Sequence, residues 1–461
     1  MQLKHVIDIT LRKHGLRAAQ VVDLFPCTPL QESMIAANLE RSDAYVIQNS
    51  YVLPDNIDVE RLRAAIIKLI EVTPALRTVF VLDSNVGFLS AVLNTEAATP
   101  FSVISVANSA LFETASDPFG SSFPPDSVLL TRVVLIQLHE GSRARSKLIW
   151  TFHHALLDGW SIAHLESDLQ QLYESRDSVI TRPSFKHFLH DLRGRNLTES
   201  VAFWRQRLIS VQPTVFPFDT TNSRVTANSS LTATFTVGYQ RLVQVHGIKP
   251  STLVSAAWAL VLAAHSGSHD EVVFGHVNWG RGFGLAGVEN IIGPCLNTIA
   301  HNVVIPKEGR ILDFLRHVQS DQALLDEHSL VALRSISIPD IATLFRTILN
   351  FYQLPASNNV SSFLSQSSEV DGVDYPLVIF ATAQDYNIHV EIRFAEAQIA
   401  TEDAQLVLNH FGQALHELAS SPSRLLTAIR LSTEAESKAI AQDIALKPLQ
   451  LPLLRELVSF L

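Results

Sequence analysis

Two adjacent histidines precede an aspartate and a glycine in the stretch His153-His154-Ala155-Leu156-Leu157-Asp158-Gly159, and these residue types suit proton transfer. A neutral imidazole can take a proton near pH 7, and a carboxylate four residues on can fix a ring or a neighbouring loop. Histidine and aspartate can also hold a metal. Adjacent side chains on a strand point to opposite faces, however, so only one of the two histidines normally enters a given site. A core histidine satisfied by hydrogen bonds is the plainer reading of either ring.

These side chains need rigid supports on both sides. The run Leu148-Ile149-Trp150-Thr151-Phe152 is apolar, β-branched and aromatic, which predicts an interior strand ending at His153-His154. After the turn 155–160, Ser161 offers an N-cap, and Ile162, Leu165, Leu169 and Leu172 recur at helical spacing. Residues 133–138 and 147–152 flank Glu140-Gly141-Ser142 as a hairpin. Strand, polar corner and helix would therefore hold the histidines firmly while leaving them open to a cleft.

The stretch His153 to Ser161 resembles the HHxxxDGxS signature of the condensation domains of nonribosomal peptide synthetases, relatives of chloramphenicol acetyltransferase. Other segments follow the same family's order. Asp23-Leu24-Phe25-Pro26-Cys27-Thr28-Pro29-Leu30-Gln31-Glu32-Ser33-Met34 is similar to its first motif in the form common among filamentous fungi, leading into a helix to Glu40. Thr73-Pro74-Ala75-Leu76-Arg77-Thr78-Val79-Phe80 is similar to the second, with Arg77 expected to pair inside its lobe because a buried guanidinium needs a partner. Gly275-His276-Val277-Asn278-Trp279-Gly280-Arg281 and Ile291-Ile292-Gly293-Pro294-Cys295-Leu296-Asn297-Thr298 resemble the GxxxxGR and IGxxxNT segments. Departures are His301, near where many members have arginine, and 321–333, where the sixth motif is barely recognisable. Residues 344–351 keep the flavour of the seventh motif as a strand.

The resemblance implies an α/β (α+β) fold of two chloramphenicol acetyltransferase-like lobes in a V-shaped pseudo-dimer, with the active site in a tunnel between them. It implies His154 as the central catalytic residue and the Gly159 N–H as an oxyanion donor. His153, Asp158 and Arg281 would support the site, Arg281 pairing with Asp158 through a guanidinium able to hold a carboxylate bidentately. Trp160, Ser161, Asn297 and Thr298 would line the tunnel. No permanently bound cofactor and no metal is implied. The resemblance implies that the substrate arrives on the phosphopantetheine arm of a peptidyl carrier protein and that a small-molecule amine or alcohol is the nucleophile.

Composition bounds the rest. A chain of 461 residues, 47% hydrophobic, can bury a large core, and its length suits two or three lobes. A formal net charge of -10 without a long basic run argues against nucleic acid or an anionic membrane as the main partner. Two cysteines, Cys27 and Cys295, are too few for a disulfide framework, which fits a reducing compartment. No run approaches the roughly 20 apolar residues of a membrane span, so a soluble, cytoplasmic monomer is expected. Residues 1–20 read as an amphipathic helix or an upstream remnant, 21–176 as an N-terminal lobe, and 177–230 as a linker segment with short helices. Residues 231–461 read as a C-terminal lobe, with an internal repetition of strand and helix order, a polar latch segment at 355–374, a hairpin at 375–394 and helices at 402–419 and 433–445.

The expected activity is condensation of a carrier-bound acyl or peptidyl thioester with an amine or hydroxyl. Three alternatives share the fold. A coenzyme A-dependent acyltransferase would expect a DFGWG segment, and only Asn278-Trp279-Gly280-Arg281-Gly282-Phe283-Gly284 is present. A terminal macrocyclising domain often carries serine for the first histidine, and a non-catalytic docking module would show damage to HHxxxDG; here the motif is intact.

Overall fold

The computed structural model describes Arg12 and residues 17–432, apart from 84, 86, 98–99, 115–119, 121, 125–126, 141–142, 176–177, 218–226, 269, 283, 339–340 and 353–363. Most of the helix expected over 1–20, the helix expected over 433–445, the start of the latch segment and the tip of the Glu140-Gly141-Ser142 turn lie outside the described residues.

The chain runs through β1 (Val21–Pro26), α1 (Pro29–Glu40), β2 (Val46–Val52), α2 (Val59–Val72), β3 (Thr78–Asp83), β4 (Gly87–Leu93), β5 (Phe101–Val106), α3 (Ser109–Thr114), β6 (Thr131–Glu140), β7 (Arg143–His153), α4 (Gly159–Glu174), α5 (Phe185–Gly194) and α6 (Thr198–Leu208). It continues through β8 (Ser229–Thr236), α7 (Gln240–His246), α8 (Pro250–Ser266), β9 (Glu271–Asn278), β10 (Asn297–Val304), α9 (Ile311–Glu327), β11 (Thr347–Phe351), β12 (Ser365–Asp371), β13 (Leu377–Gln384), β14 (Asn387–Phe394) and α10 (Thr401–Ser420).

Contacts group these elements into two compact units, and neither follows the chain continuously. The first comprises the described residues of Met1–Asn196, Trp279–Leu296 and Leu354–Asp374; the second comprises those of Leu197–Asn278, Asn297–Gln353 and Tyr375–Leu461. The linear boundaries expected at 176 and 231 therefore differ from the observed grouping. The reason is physical: Arg281 is bound to the first unit by an ion pair with Asp158, and β12 adds a strand to β2. The expected linker 177–230 is likewise divided, since α5 falls in the first unit and α6 in the second.

In the first unit a five-stranded sheet has the order β12-β2-β7-β6-β5, antiparallel except for the β5–β6 pair, and a three-stranded antiparallel sheet has the order β1-β4-β3. Strand β7 puts Leu148, Trp150 and Phe152 on one face and Ile149, Thr151 and His153 on the other, and both faces are covered there. Leu148, Trp150 and Phe152 pack with Leu62, Ile66 and Leu69 of α2 and with Leu165, Leu169 and Leu172 of α4, while Ile149 packs with Phe112 of α3. Helix α4 starts three residues earlier than expected. Asp158, not Ser161, is its N-cap: the carboxylate accepts the Ser161 N–H at 2.8 Å, the usual capping geometry.

Arg77 does find partners inside its unit, but they are carbonyls. Its guanidinium donates to Ile70 O at 3.0 Å, Glu71 O at 3.2 Å and Leu93 O, so it closes the C-terminus of α2, where unsatisfied carbonyls and the helix dipole favour a cation.

The second unit holds a six-stranded sheet of order β10-β9-β11-β13-β14-β8, in which β11 runs parallel to both neighbours. Helix α8 is apolar almost all round because it is buried almost all round; Trp258 meets Phe411 of α10 edge-on, with ring centroids 6.0 Å apart. The expected 375–394 hairpin is β13–β14, paired from Leu377 with Phe394 to Gln384 with Asn387.

Replacing Arg77 by alanine removes three hydrogen bonds, two of them buried, and leaves helix-terminal carbonyls unsatisfied. The expected cost is roughly 2–4 kcal/mol in urea unfolding.

Candidate active site

The β2–β7 register sets Val46 opposite His153, so the strand pairing ends where the first histidine begins. His153 turns inward and is fully buried. Its backbone N–H donates to Leu130 O at 2.8 Å, and its ring Nδ1 accepts the Ala155 N–H at 3.1 Å, which places the ring proton on Nε2. Burial, with His154 alongside, pushes its pKa down to about 3 against the pull of the Ala44 carbonyl. A ring so enclosed stays neutral near pH 7.

His154 is the next residue and differs in every respect. Its backbone N–H donates to Tyr45 O at 2.8 Å, its side chain is half-buried, and its Nδ1 is enclosed with no hydrogen-bond partner among the described residues. Among the described residues no carboxylate bonds either nitrogen of this ring, and Asp158 is wholly occupied elsewhere.

Asp158 is completely buried, and five contacts satisfy it. Oδ1 accepts from Ser161 N at 2.8 Å, Ser161 Oγ at 2.6 Å and Arg281 Nη2 at 2.8 Å, while Oδ2 accepts from Arg281 Nη2 at 2.7 Å and Cys295 N at 3.2 Å. The guanidinium does not grip the carboxylate with two nitrogens, as the sequence suggested. One nitrogen bridges both oxygens, because Nη1 is taken by the carbonyls of Val288 at 2.8 Å and Ile291 at 2.9 Å. The charge on the carboxylate is thus shared between an ion pair and the N-terminus of α4, both of which favour it. Gly280 explains how the arginine arrives. It is left-handed at φ 63°, and a Cβ there would lie 1.8 Å from the Cys295 carbonyl oxygen, so only glycine lets 280 and 295 approach this closely.

Gly159 opens α4, where the helix leaves its first N–H groups without intrahelical acceptors. A Cβ at Gly159 would meet the Trp279 ring at 3.3 Å, so the position is tight as well. Trp160 donates Nε1–H to Glu289 O at 2.8 Å and lies with its ring 6.4 Å from that of Trp279. Ser161 was expected to line a tunnel, and the structure corrects this. It is fully buried, its hydroxyl donating to Asp158 and accepting the Gly293 N–H at 2.9 Å, so it belongs to the anchoring network. Asn297 and Thr298 belong to the second unit, at the start of β10. Asn297 Nδ2 donates to Ser329 O at 2.7 Å and Val331 O at 3.0 Å, and its Oδ1 accepts the Thr298 N–H at 3.0 Å. His301, the departure from the family pattern, is also in the second unit; burial, with His276 and Arg207 nearby, holds its pKa well below the usual imidazole range.

One contributor had no role assigned from sequence. Gln31, in the first turn of α1, donates Nε2–H to the Ala155 carbonyl at 2.8 Å while its Oε1 accepts the Thr28 N–H at 2.8 Å in a capping box. Ala155 is therefore held at its N–H by His153 and at its C=O by Gln31. A cavity of about 180 Å³, lined by Gln31, Ala155, Leu156 and Gly293 among others, lies behind this turn. The capping-box pattern was visible in Thr28-Pro29-Leu30-Gln31; its reach to residue 155 was not.

Neither cysteine is poised as a nucleophile. Burial pushes the Cys27 thiol up to about 12 and raises that of Cys295 further, the nearby Asp158 adding to the latter shift. Among the described residues no group of three or more His, Cys, Asp or Glu side chains could hold a metal ion, and no single helix is long and apolar enough to cross a membrane.

The described residues thus form a mixed α/β chain with a histidine corner tied by a buried aspartate–arginine pair. Comparison with known sequences identifies the family: the condensation domain profile matches residues 21–441, and the chain belongs to the condensation domain family. The nonribosomal peptide synthetase otaB of Aspergillus carbonarius (strain ITEM 5010) is 30% identical over 345 residues, which are 72% of this chain and 17% of that protein. The chain thus spans less than a fifth of the length of that relative. Among solved structures, the first condensation domain of the CDA synthetase has a TM-score of 0.72 at 17% identity, covering 89% of this chain and 100% of that one. The X-domain from teicoplanin biosynthesis has a TM-score of 0.71 at 18% identity, covering 88% and 97%. The fold is the mixed α/β condensation-domain fold.

Two outcomes follow. Arg281→Met strands a buried carboxylate, and urea unfolding should show a loss of about 3–5 kcal/mol. His153 has a folded pKa of about 3 against 6.5 for the free side chain, so between these values the unfolded chain binds a proton that the folded ring refuses. Its contribution is complete above about pH 6.5 and declines by up to about 1.4 kcal/mol per pH unit as the pH falls towards 3. His153→Asn should accordingly take up about one proton fewer on unfolding at pH 5, read from the slope of stability against pH.

Proposed function

We propose that this chain is an amide- or ester-forming condensation domain, joining a carrier-bound acyl or peptidyl thioester to an amine or hydroxyl nucleophile. The observation that carries the reading is the difference between the two histidines. His153 is fully buried with its Nδ1 holding the Ala155 N–H, whereas His154, one residue on, is half-buried beside a rigid corner. In this reading the donor acyl group is presented on the phosphopantetheine arm of a peptidyl carrier protein, and a small-molecule or carrier-bound nucleophile supplies the second substrate.

The chemistry asks little of any one group, because a thioester is already activated. The nucleophile's lone pair attacks the thioester carbonyl while its proton passes to His154, or is oriented by that ring as the C–N or C–O bond forms. Negative charge builds on the carbonyl oxygen, where the Gly159 N–H and the positive end of the α4 dipole favour it. Collapse of the intermediate breaks the C–S bond, and the departing thiolate takes up the proton. With Asp158 engaged by Arg281, Ser161 and Cys295, His154 works without a carboxylate relay. Positioning supplies most of the acceleration, and the Asp158–Arg281 pair supplies the positioning.

The test is mass spectrometry of acyl-loaded carrier proteins incubated with the protein and a mixture of amines and alcohols. Product formation should fall about 10²–10⁴-fold in His154→Ala; unaffected turnover would refute the assignment. Transfer from free coenzyme A thioesters at comparable efficiency would favour a coenzyme A-dependent acyltransferase instead.

A further inference from the structure

A strained residue stands directly behind His154. Tyr45, just before β2, is left-handed at φ 57°, a conformation that a bulky residue adopts only when its surroundings enforce it. Two backbone hydrogen bonds define what enforces it. The Tyr45 C=O accepts the His154 N–H at 2.8 Å, and the Tyr45 N–H donates to Gly372 O at 2.7 Å. Gly372 in turn donates its N–H to Val46 O at 3.0 Å, so the residue after β12 clasps the backbone of 45 and 46 from both sides.

The clasp tolerates only glycine at 372. A Cβ there would lie 2.1 Å from Asp43 O and 3.3 Å from Tyr45 N, both backbone atoms that cannot swing away. Arg41 reinforces the arrangement, pairing with Asp43 at 2.9 Å and with Asp374, beyond the glycine, at 3.1 Å. All of these residues lie in the first unit, although 354–374 is flanked in sequence by segments of the second.

We infer that Gly372 and Tyr45 are positioning residues for His154: the backbone of the β12 segment holds Tyr45 left-handed, and that conformation aims the Tyr45 carbonyl at the His154 N–H and so sets where the imidazole leaves the strand. The inference rests on the proposed role of His154 but is readable without it. Relaxation of Tyr45 to an ordinary extended conformation swings its carbonyl away, and the histidine backbone loses its anchor at the end of β7.

Hydrogen exchange at the His154 amide and steady-state kinetics test the two ideas separately. In Gly372→Ala and in Tyr45→Ile, whose β-branched side chain disfavours the left-handed region, exchange at the His154 amide should accelerate at least about tenfold. Over the same variants kcat should fall at least about tenfold, with KM for the loaded carrier changing less than about twofold. Tyr45→Gly takes up the left-handed conformation freely and should recover both the slow exchange and the kcat lost in Tyr45→Ile. Unchanged exchange in Tyr45→Ile, or a Tyr45→Gly variant as impaired as Tyr45→Ile, overturns the inference. Should Gly372→Ala fail to fold, the Tyr45 pair decides alone. Full turnover by His154→Ala would remove the proposed function and leave the exchange result standing.

Discussion

A single buried carboxylate organises the candidate site. Asp158 has no exposure to water, and a charge in that position is tolerable only when paired and hydrogen-bonded. It draws in Arg281 from more than a hundred residues away, fixes the first turn of α4 through Ser161, and engages the backbone at Cys295. Each tie makes the others necessary. Breaking one would leave an uncompensated charge inside the unit, so the corner between β7 and α4 behaves as one rigid piece. The same commitment leaves Asp158 no lone pair with which to orient a neighbouring ring.

The two histidines show how one peptide unit can separate two roles. His153 ends the strand with its ring turned into the protein, where burial keeps it neutral and its Nδ1 holds the Ala155 N–H. His154 lies just past the ladder, where its direction is set by the backbone alone. Three hydrogen bonds determine that backbone: His154 N–H to Tyr45, Ala155 N–H to His153, and Ala155 C=O to Gln31. The supports come from β7 itself, from the start of α1 and from the approach to β2, which is why a site described by a nine-residue motif needs distant segments to function. A positioning network of this kind suits chemistry in which an activated thioester needs alignment more than a strong base.

The assembly of the first unit follows from the same economy of partners. Residues 279–296 and 364–374 come from late in the sequence, yet one brings the arginine that neutralises Asp158 and the other brings a strand for β2. An edge strand and a buried charge both demand a partner, and neither demand is met by the neighbouring chain.

By itself the sequence determined the local elements and the chemistry on offer. The apolar run 148–152 and the helical spacing of Leu165, Leu169 and Leu172 gave the strand and the helix, because period and residue type are local properties, while the order of the family's motifs implied the pairing of Asp158 with Arg281. Tertiary structure alone decided the rest. It made Asp158 the N-cap in place of Ser161, closed Ser161 off from solvent, turned Arg77 towards carbonyls, and interleaved the two units along the chain. It also brought Gln31 and Gly372 to the histidine corner. Those outcomes depend on which distant backbone groups stand unsatisfied at a given point, and a hydrogen bond between residues 31 and 155 leaves no periodic trace in either segment.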